Sequence, residues 1–171
     1  MLIPFHQSNH KEAFMQYVNQ WQMKHGRARD QHYYAKIYLK ILTNYNETMS
    51  SFLAESKPHL LEQGLPWCQY YWWLENEKIL GTVRYRLNDK EIYGQVGCEV
   101  APQIRNKGIA KKMLHAFIQQ MKGQTKELYF TVPEYNTAST KVLESQGAKF
   151  TQKLYFQEFD EYLNQYRVEL D

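Results

Sequence analysis

The sequence predicts an α/β fold, a mixed sheet with helices packed on it, and three observations carry that expectation. Residues 1–63 place apolar side chains at helical spacing. From residue 66 the apolar residues alternate instead, which is the period of strands. Two further helical stretches then separate the strands. A strand–helix–strand crossing implies one parallel pair at the sheet centre, with antiparallel meander around it.

In the N-terminal region, Asn9 with Glu12 three residues on predicts a capping box. Ala13, Phe14, Tyr17, Val18 and Trp21 follow on one helical face. After Asp30, a candidate N-cap, Tyr34, Ile37, Tyr38, Ile41 and Leu42 repeat the pattern. Met49, Phe52 and Leu53 predict a third short helix that ends before Pro58. Strands over 67–74 and 79–87 read as a hairpin turning at Glu75-Asn76-Glu77, and Asn88-Asp89 marks the next turn. Ile92, Gly94, Val96, Cys98 and Val100 alternate as a third strand, which Pro102 stops because proline has no ladder donor. Residues 108–122 form an amphipathic helix with Ile109, Met113, Leu114, Phe117, Ile118 and Met121 on one face. A short buried strand is expected over 127–132, and a helix over 137–146 with Gly147 just past its end. Strands over 148–157 and 163–170 close the chain.

A length of 171 residues fits one domain, spanning 1–171, with a core that needs no disulfide or metal staple. Hydrophobic residues at 43% and charged residues at 23% are the balance of a soluble globular chain. The 14 tyrosines are read as sheet packing. A net charge of +3, with the cations spread out, argues against a nucleic-acid partner. Cys68 and Cys98 have no zinc spacing and are expected to be free thiols, so no metal is expected. His6, His10, His25 and His32 are read as surface residues rather than ligands. The N-terminus carries no signal-peptide pattern, and no apolar run reaches the roughly 18–20 residues a membrane span needs. The expected location is the cytoplasm, away from membranes.

The segment from Val100 to Ala110 is the most informative. A strand ends, a basic turn follows, and a well-formed helix starts. A helix N-terminus presents unpaired N–H groups and a partial positive charge, which suits an anion. Gly108 lets a phosphate approach the backbone, Ala110 keeps the next contact small, and Arg105, Lys107 and Lys111 add charge. Local physics leaves two readings open here, a phosphate or pyrophosphate site, or a glycine that only begins a packed helix. The turn is neither a Walker A loop nor a dinucleotide fingerprint.

Arg105-Asn106-Lys107-Gly108-Ile109-Ala110 resembles the [QR]-x-x-G-x-[GA] pyrophosphate signature of the GNAT acetyltransferase superfamily. The stretch from Val96 to Pro102 is similar to that family's fourth strand, and Asn136 to Gly147 to its later N-x-x-[AS] motif, with Ser139 at the small position. The resemblance covers about 66–157. It implies a central mixed, mostly antiparallel sheet of six to seven strands with a splayed parallel pair in the middle. It implies an acetyl-CoA-dependent N-acetyltransferase, with acetyl-CoA as cosubstrate and 66–157 as its binding core. Residues 1–63 would then form the acceptor side, and 158–171 the C-terminal strand. Carried over by position, the backbone of Cys98, Glu99 and Val100 lines the acetyl and pantetheine end. The amides of Asn106, Lys107, Gly108, Ile109, Ala110 and Lys111 hold the pyrophosphate next to Arg105. Asn136 contacts the pantetheine or positions the splayed strand, and Ser139 lies near the cofactor.

Acetyl transfer needs a neutral amine near the thioester carbon, a donor for the developing oxyanion and a way for the thiolate to leave. The Val100 backbone N–H is the expected oxyanion donor. Glu99 is the candidate general base, on the expectation that burial raises its pKa towards neutrality; a substrate-binding charge or a strand-face residue is the other reading. Cys98 is expected to be a buried strand thiol and no nucleophile. Many family members carry a tyrosine where this chain has Leu143, which leaves Tyr129, Tyr155 or no residue to protonate the thiolate. Arg84 and Arg86 share a strand face and meet either an acidic group on the substrate or neighbouring carboxylates. The aromatic run Tyr70 to Trp73 is read as sheet core. The acceptor is a small-molecule amine or a protein amine. A chain that binds acetyl-CoA without turnover is the alternative reading, and the sequence leaves monomer and homodimer both open.

Overall fold

The computed structural model describes residues 1–6, 9–22, 39–87, 94–157 and 160–170. The expected cap at Asp30, the stripe residues Tyr34, Ile37 and Tyr38, the turn at Asn88-Asp89, the strand start at Ile92, and His25 and His32 lie outside the described residues.

The strands are β1 (Leu2–Pro4), β2 (Cys68–Glu75), β3 (Lys78–Arg86), β4 (Val96–Val100), β5 (Glu127–Pro133), β6 (Lys149–Phe156) and β7 (Glu161–Glu169). The helices are α1 (Lys11–Asn19), α2 (Leu39–Thr43), α3 (Tyr45–Ala54), α4 (Pro58–Glu62), α5 (Ile109–Met121) and α6 (Thr137–Glu144). Short 3-10 turns follow α1 at Gln20–Gln22 and β4 at Pro102–Ile104.

The β2–β3 hairpin turns where the sequence places it. Asn76 and Glu77 take φ of 47° and 61°, the left-handed pair that a two-residue turn between twisted strands demands. At the end of α6, Gly147 has φ 80°, its N–H donates to the Glu144 carbonyl, and the Ala148 N–H donates to Leu143. That paired closure is the Schellman ending expected of Gly147.

Two local expectations shift. Helix α1 starts at Lys11 with His10 as its N-cap, left-handed at φ 60°, and no side chain caps it. Asn9 does not cap, because the chain enters the helix one residue later; its own N–H donates to His6 Nδ1 at 3.4 Å. Pro58 does follow the end of α3, and it also opens the short helix α4, since its missing N–H costs nothing at a first turn.

The sheet differs more. The described strands form two sheets, β1-β2-β3-β4 and β5-β7-β6, and every ladder in them is antiparallel. No ladder joins β4 to β5 among the described residues. The two strands meet just before β4, where the Gln95 N–H donates to the Tyr129 carbonyl at 2.7 Å and Gln95 Oε1 accepts from the Tyr129 N–H at 3.2 Å. Gly94 makes the approach possible: at φ +68°, a Cβ there would lie 2.7 Å from Thr131 N.

Strand alternation splits the aromatic run between two cores. Tyr71 and Trp73 face α5 with Val83, Tyr85, Val96 and Val100, and the inner face of the β5–β7 sheet closes that core through Leu128, Phe130 and Tyr166. Tyr70 and Trp72 face α1 and α3, among Phe5, Phe14, Tyr17 and Phe52. Four consecutive aromatics are thus sheet core on both faces, as the sequence reading has it.

Candidate active site

The register of β3 on β4 decides where the backbone of β4 points. The Arg86 N–H donates to the Gln95 carbonyl and the Ala101 N–H to the Leu80 carbonyl, so these opposed pairs are hydrogen-bonded ones. Bonded and unbonded pairs alternate along an antiparallel ladder. Glu99 opposite Thr82 and Gly97 opposite Arg84 are therefore bonded, while Val100 opposite Gly81 and Cys98 opposite Val83 are not. The N–H and C=O groups of Cys98 and Val100 leave β4 on the edge away from β3, the edge that β5 approaches at Gln95.

Beyond β4 the chain crosses the Pro102–Ile104 turn and enters α5 through Asn106 at φ 62° and Gly108 at φ 74°. Gly108 is the N-cap of α5, carries no side-chain cap, and has nothing within 4 Å of where a Cβ would stand. The first turn holds no acidic residue, and the first bond from that turn runs from the Lys112 N–H to the Gly108 carbonyl. The amides of Ile109, Ala110 and Lys111 lie in the first turn, where a helix lacks backbone partners. Lys107, Lys111 and Lys112 are exposed around them, Ala110 is half-buried, and Ile109 anchors the turn in the core. An uncapped helix start ringed by lysines suits an anion.

Arg105 behaves differently from its lysine neighbours. Its Nε donates to the Val100 carbonyl at 3.2 Å, and its guanidinium carbon lies 5.3 Å from the centre of the Trp21 ring. Its side chain thus reaches back to β4 and to the turn after α1.

Glu99 points to the other face of the sheet, under α1. Thr82 Oγ1 donates to Glu99 Oε2 at 2.6 Å, and Arg84 Nη2 lies 3.9 Å from Oε1. Gly97 makes room for that guanidinium, since a Cβ there would stand 2.5 Å from Arg84 Nη2. Of the two readings of Arg84, pairing with a carboxylate on a neighbouring strand is the one realised. Tyr17, fully buried on α1, approaches Thr82 and Trp21; burial first, and the Glu99 charge second, push its phenol well above the usual range. Tyr17, Trp21 and Thr82 are members of this cluster that the sequence reading did not pick. Thr82 carried the only signal, a polar residue in an otherwise buried stretch of strand.

Cys98 is half-buried rather than fully buried, packed against the core under α5. Burial, with the Glu99 charge second, pushes its thiol up to about 12. Both cysteines are free. A neutral thiol is a poor nucleophile, which agrees with the expectation that Cys98 attacks nothing. Two results are expected. Iodoacetamide should label Cys98 slowly near pH 8 in the folded protein and at once in denaturant. Stability should also fall at alkaline pH. The folded chain holds the Cys98 proton up to about 12, while the unfolded thiol loses it near 9.0, so the contribution is whole below that value and is lost as pH rises between the two. Cys68, pushed up to about 11 mainly by burial, acts in the same direction. The urea midpoint measured near pH 8 and near pH 10 checks the sign.

The second motif stands on α6. Asn136 is its N-cap, and Asn136 Oδ1 accepts from the Ser139 N–H at 3.2 Å. Leu143 is buried in the same core as Val100 and Ile109, which ties the two motifs to one scaffold. The tyrosines weighed as proton donors are engaged elsewhere. Tyr155 is exposed and donates to Asp160 at 2.6 Å, while Tyr129 bonds Arg167 across β5 and β7.

Residues 10–148 match the model of the acetyltransferase (GNAT) family. A search of curated protein sequences found no match. Among solved structures, the chain is similar to RimL, a ribosomal L7/L12 alpha-N-protein acetyltransferase in complex with coenzyme A, with a TM-score of 0.71 at 16% identity over 99% of this chain and 93% of that one. It is also similar to a ribosomal-protein-S5-alanine acetyltransferase from Vibrio fischeri, with a TM-score of 0.61 at 16% identity over 99% and 92% of the two chains. A third is the microcin C7 self-immunity acetyltransferase MccE in complex with acetyl-CoA and AMP, with a TM-score of 0.57 at 12% identity over 99% and 92%. At these identities the likeness is one of fold.

Proposed function

We propose that this chain, which belongs to the acetyltransferase (GNAT) family, moves an acetyl group from acetyl-CoA to a primary amine by direct attack in a ternary complex. One observation carries the reading. The uncapped, lysine-ringed start of α5 follows directly on a strand whose Cys98 and Val100 amides are turned away from β3. The amides from Asn106 to Lys111 hold the pyrophosphate, and the backbone of Cys98 and Val100 lines the acetyl and pantetheine end. Strands β4 and β5, joined at Gln95 and without a ladder beyond it, form the splayed pair that admits the pantetheine arm. Asn136 holds the start of α6 in place and Ser139 sits beside the cofactor arm.

The Val100 N–H donates a hydrogen bond to the thioester carbonyl oxygen as negative charge develops there. The amine nitrogen forms its bond to the acetyl carbon as the carbon–sulfur bond breaks. The amine proton leaves through Glu99, directly or through water, and the thiolate departs without a tyrosine at residue 143. The acceptor is a small amine or a protein amine; relatives of similar fold include enzymes named for ribosomal-protein acceptors and for microcin immunity. Free Cys68 and Cys98 suit a reducing compartment such as the cytoplasm.

The test mixes the chain with acetyl-CoA and a panel of primary amines (a polyamine, an amino acid, a peptide with a free N-terminus) and follows release of the coenzyme thiol. At least one amine should speed release in proportion to enzyme, with the acetylated amine seen by mass spectrometry. The buried Leu143 favours one second reading, a protein that binds acetyl-CoA without turnover. Binding with no transfer to any amine would support that one.

A further inference from the structure

From the Val100 carbonyl contact we infer that Arg105 is a positioning residue for the oxyanion donor rather than a phosphate ligand. The inference rests on the proposed transferase reading. In a strand, the N–H and C=O of one residue leave by the same edge. A thioester oxygen brought to the Val100 N–H therefore also meets the Val100 carbonyl, whose partial negative charge opposes the charge that develops there. Left alone, that carbonyl would cancel part of what the N–H supplies.

Arg105 removes the conflict. Its Nε–H donates to the Val100 carbonyl at 3.2 Å, so the carbonyl lone pair is engaged by a cation. The guanidinium is held in turn by the Trp21 ring at 5.3 Å. The turn carrying Trp21 packs on the Pro102–Ile104 turn, so the end of α1 and the end of β4 form one clamp. The guanidinium also brings a permanent positive charge to the strand end where the negative charge grows. Lysines 107, 111 and 112 are left to serve the phosphates.

The test reads the thioester itself and needs no acceptor. Acetyl-CoA labelled with carbon-13 at the thioester carbonyl is bound to the wild type, Arg105→Ala and Arg105→Gln. Affinity is measured by calorimetry, and the carbonyl stretch by infrared difference spectroscopy. In the wild type the stretch should move to lower frequency on binding. Arg105→Ala should keep the affinity for acetyl-CoA within about threefold and lose at least half of that shift. Arg105→Gln, which keeps an N–H donor for the Val100 carbonyl without the charge, should recover part of it. A fall in affinity of more than about tenfold in Arg105→Ala would make Arg105 a phosphate ligand and overturn the inference. An unchanged shift with unchanged affinity would overturn it as well. Failure of the wild type to bind acetyl-CoA is a different result, because it sinks the transferase reading itself. Arg105 is exposed, so both variants should fold, and their melting temperatures check this.

Discussion

Gly108→Glu should weaken coenzyme A binding by about 100-fold or more, which is about 2.7 kcal/mol, while leaving the protein folded. Gly108 adopts φ +74°, so any side chain there strains the backbone by roughly 1–2 kcal/mol. Nothing stands within 4 Å of the new Cβ, so no clash adds to that strain. The carboxylate would sit over the first amides of α5, where the helix start and Lys107, Lys111 and Lys112 favour an anion. It would occupy that place itself and repel phosphates from it. Gly108→Ala carries the same strain without the charge and should bind far better than Gly108→Glu. Calorimetric titration of the three proteins with coenzyme A gives the comparison, and equal affinity in all three would remove the phosphates from this turn.

Gly94→Ala should give the largest loss of stability from a single added methyl, about 3 kcal/mol or more from strain and overpacking together. Its φ of +68° brings the same strain as at Gly108. Here the new Cβ would also meet backbone, 2.7 Å from Thr131 N and 2.9 Å from the Phe130 carbonyl carbon. Backbone in a strand cannot step aside as a flexible side chain does. The Gln95–Tyr129 hydrogen bond, the one backbone link described between β4 and β5, would stretch or break. Gly64→Ala is the matching control, with φ +67° and nothing within 4 Å. The difference between the two variants in urea denaturation isolates the cost of the close approach. If Gly94→Ala were no worse than Gly64→Ala, the meeting of β4 with β5 would not be as tight as described.

What was legible in the sequence was mostly what local periodicity and turn chemistry record. The apolar stripe from Ile109 to Met121 names its own helix, and Gly147 names the end of the next one. Asn76 marks the β2–β3 turn because few residues other than glycine and asparagine enter the left-handed region cheaply. The basic, uncapped entry to α5 at Gly108 was legible, since its signals are local, while the choice between an anion site and a plain helix start was not. Long-range partners leave no such mark. Alternation in β4 and β5 says that both are strands and cannot say that no ladder joins them among the described residues. The same is true of Arg105, which reads as one more cation of the basic turn until its Nε is found on the Val100 carbonyl. Thr82 beneath Glu99 is a register fact, invisible until β3 is laid on β4. The start of α1 at His10 was missed because a left-handed histidine with no side-chain cap carries none of the usual N-cap signals.

The most direct test of the account is a crystal structure of the complex with acetyl-CoA. Pyrophosphate oxygens are expected on the amides between Asn106 and Lys111, the pantetheine arm between β4 and β5, and the thioester oxygen in hydrogen-bond reach of the Val100 nitrogen. A cofactor seated elsewhere, with the α5 start left to solvent and Val100 remote from the thioester, would contradict it.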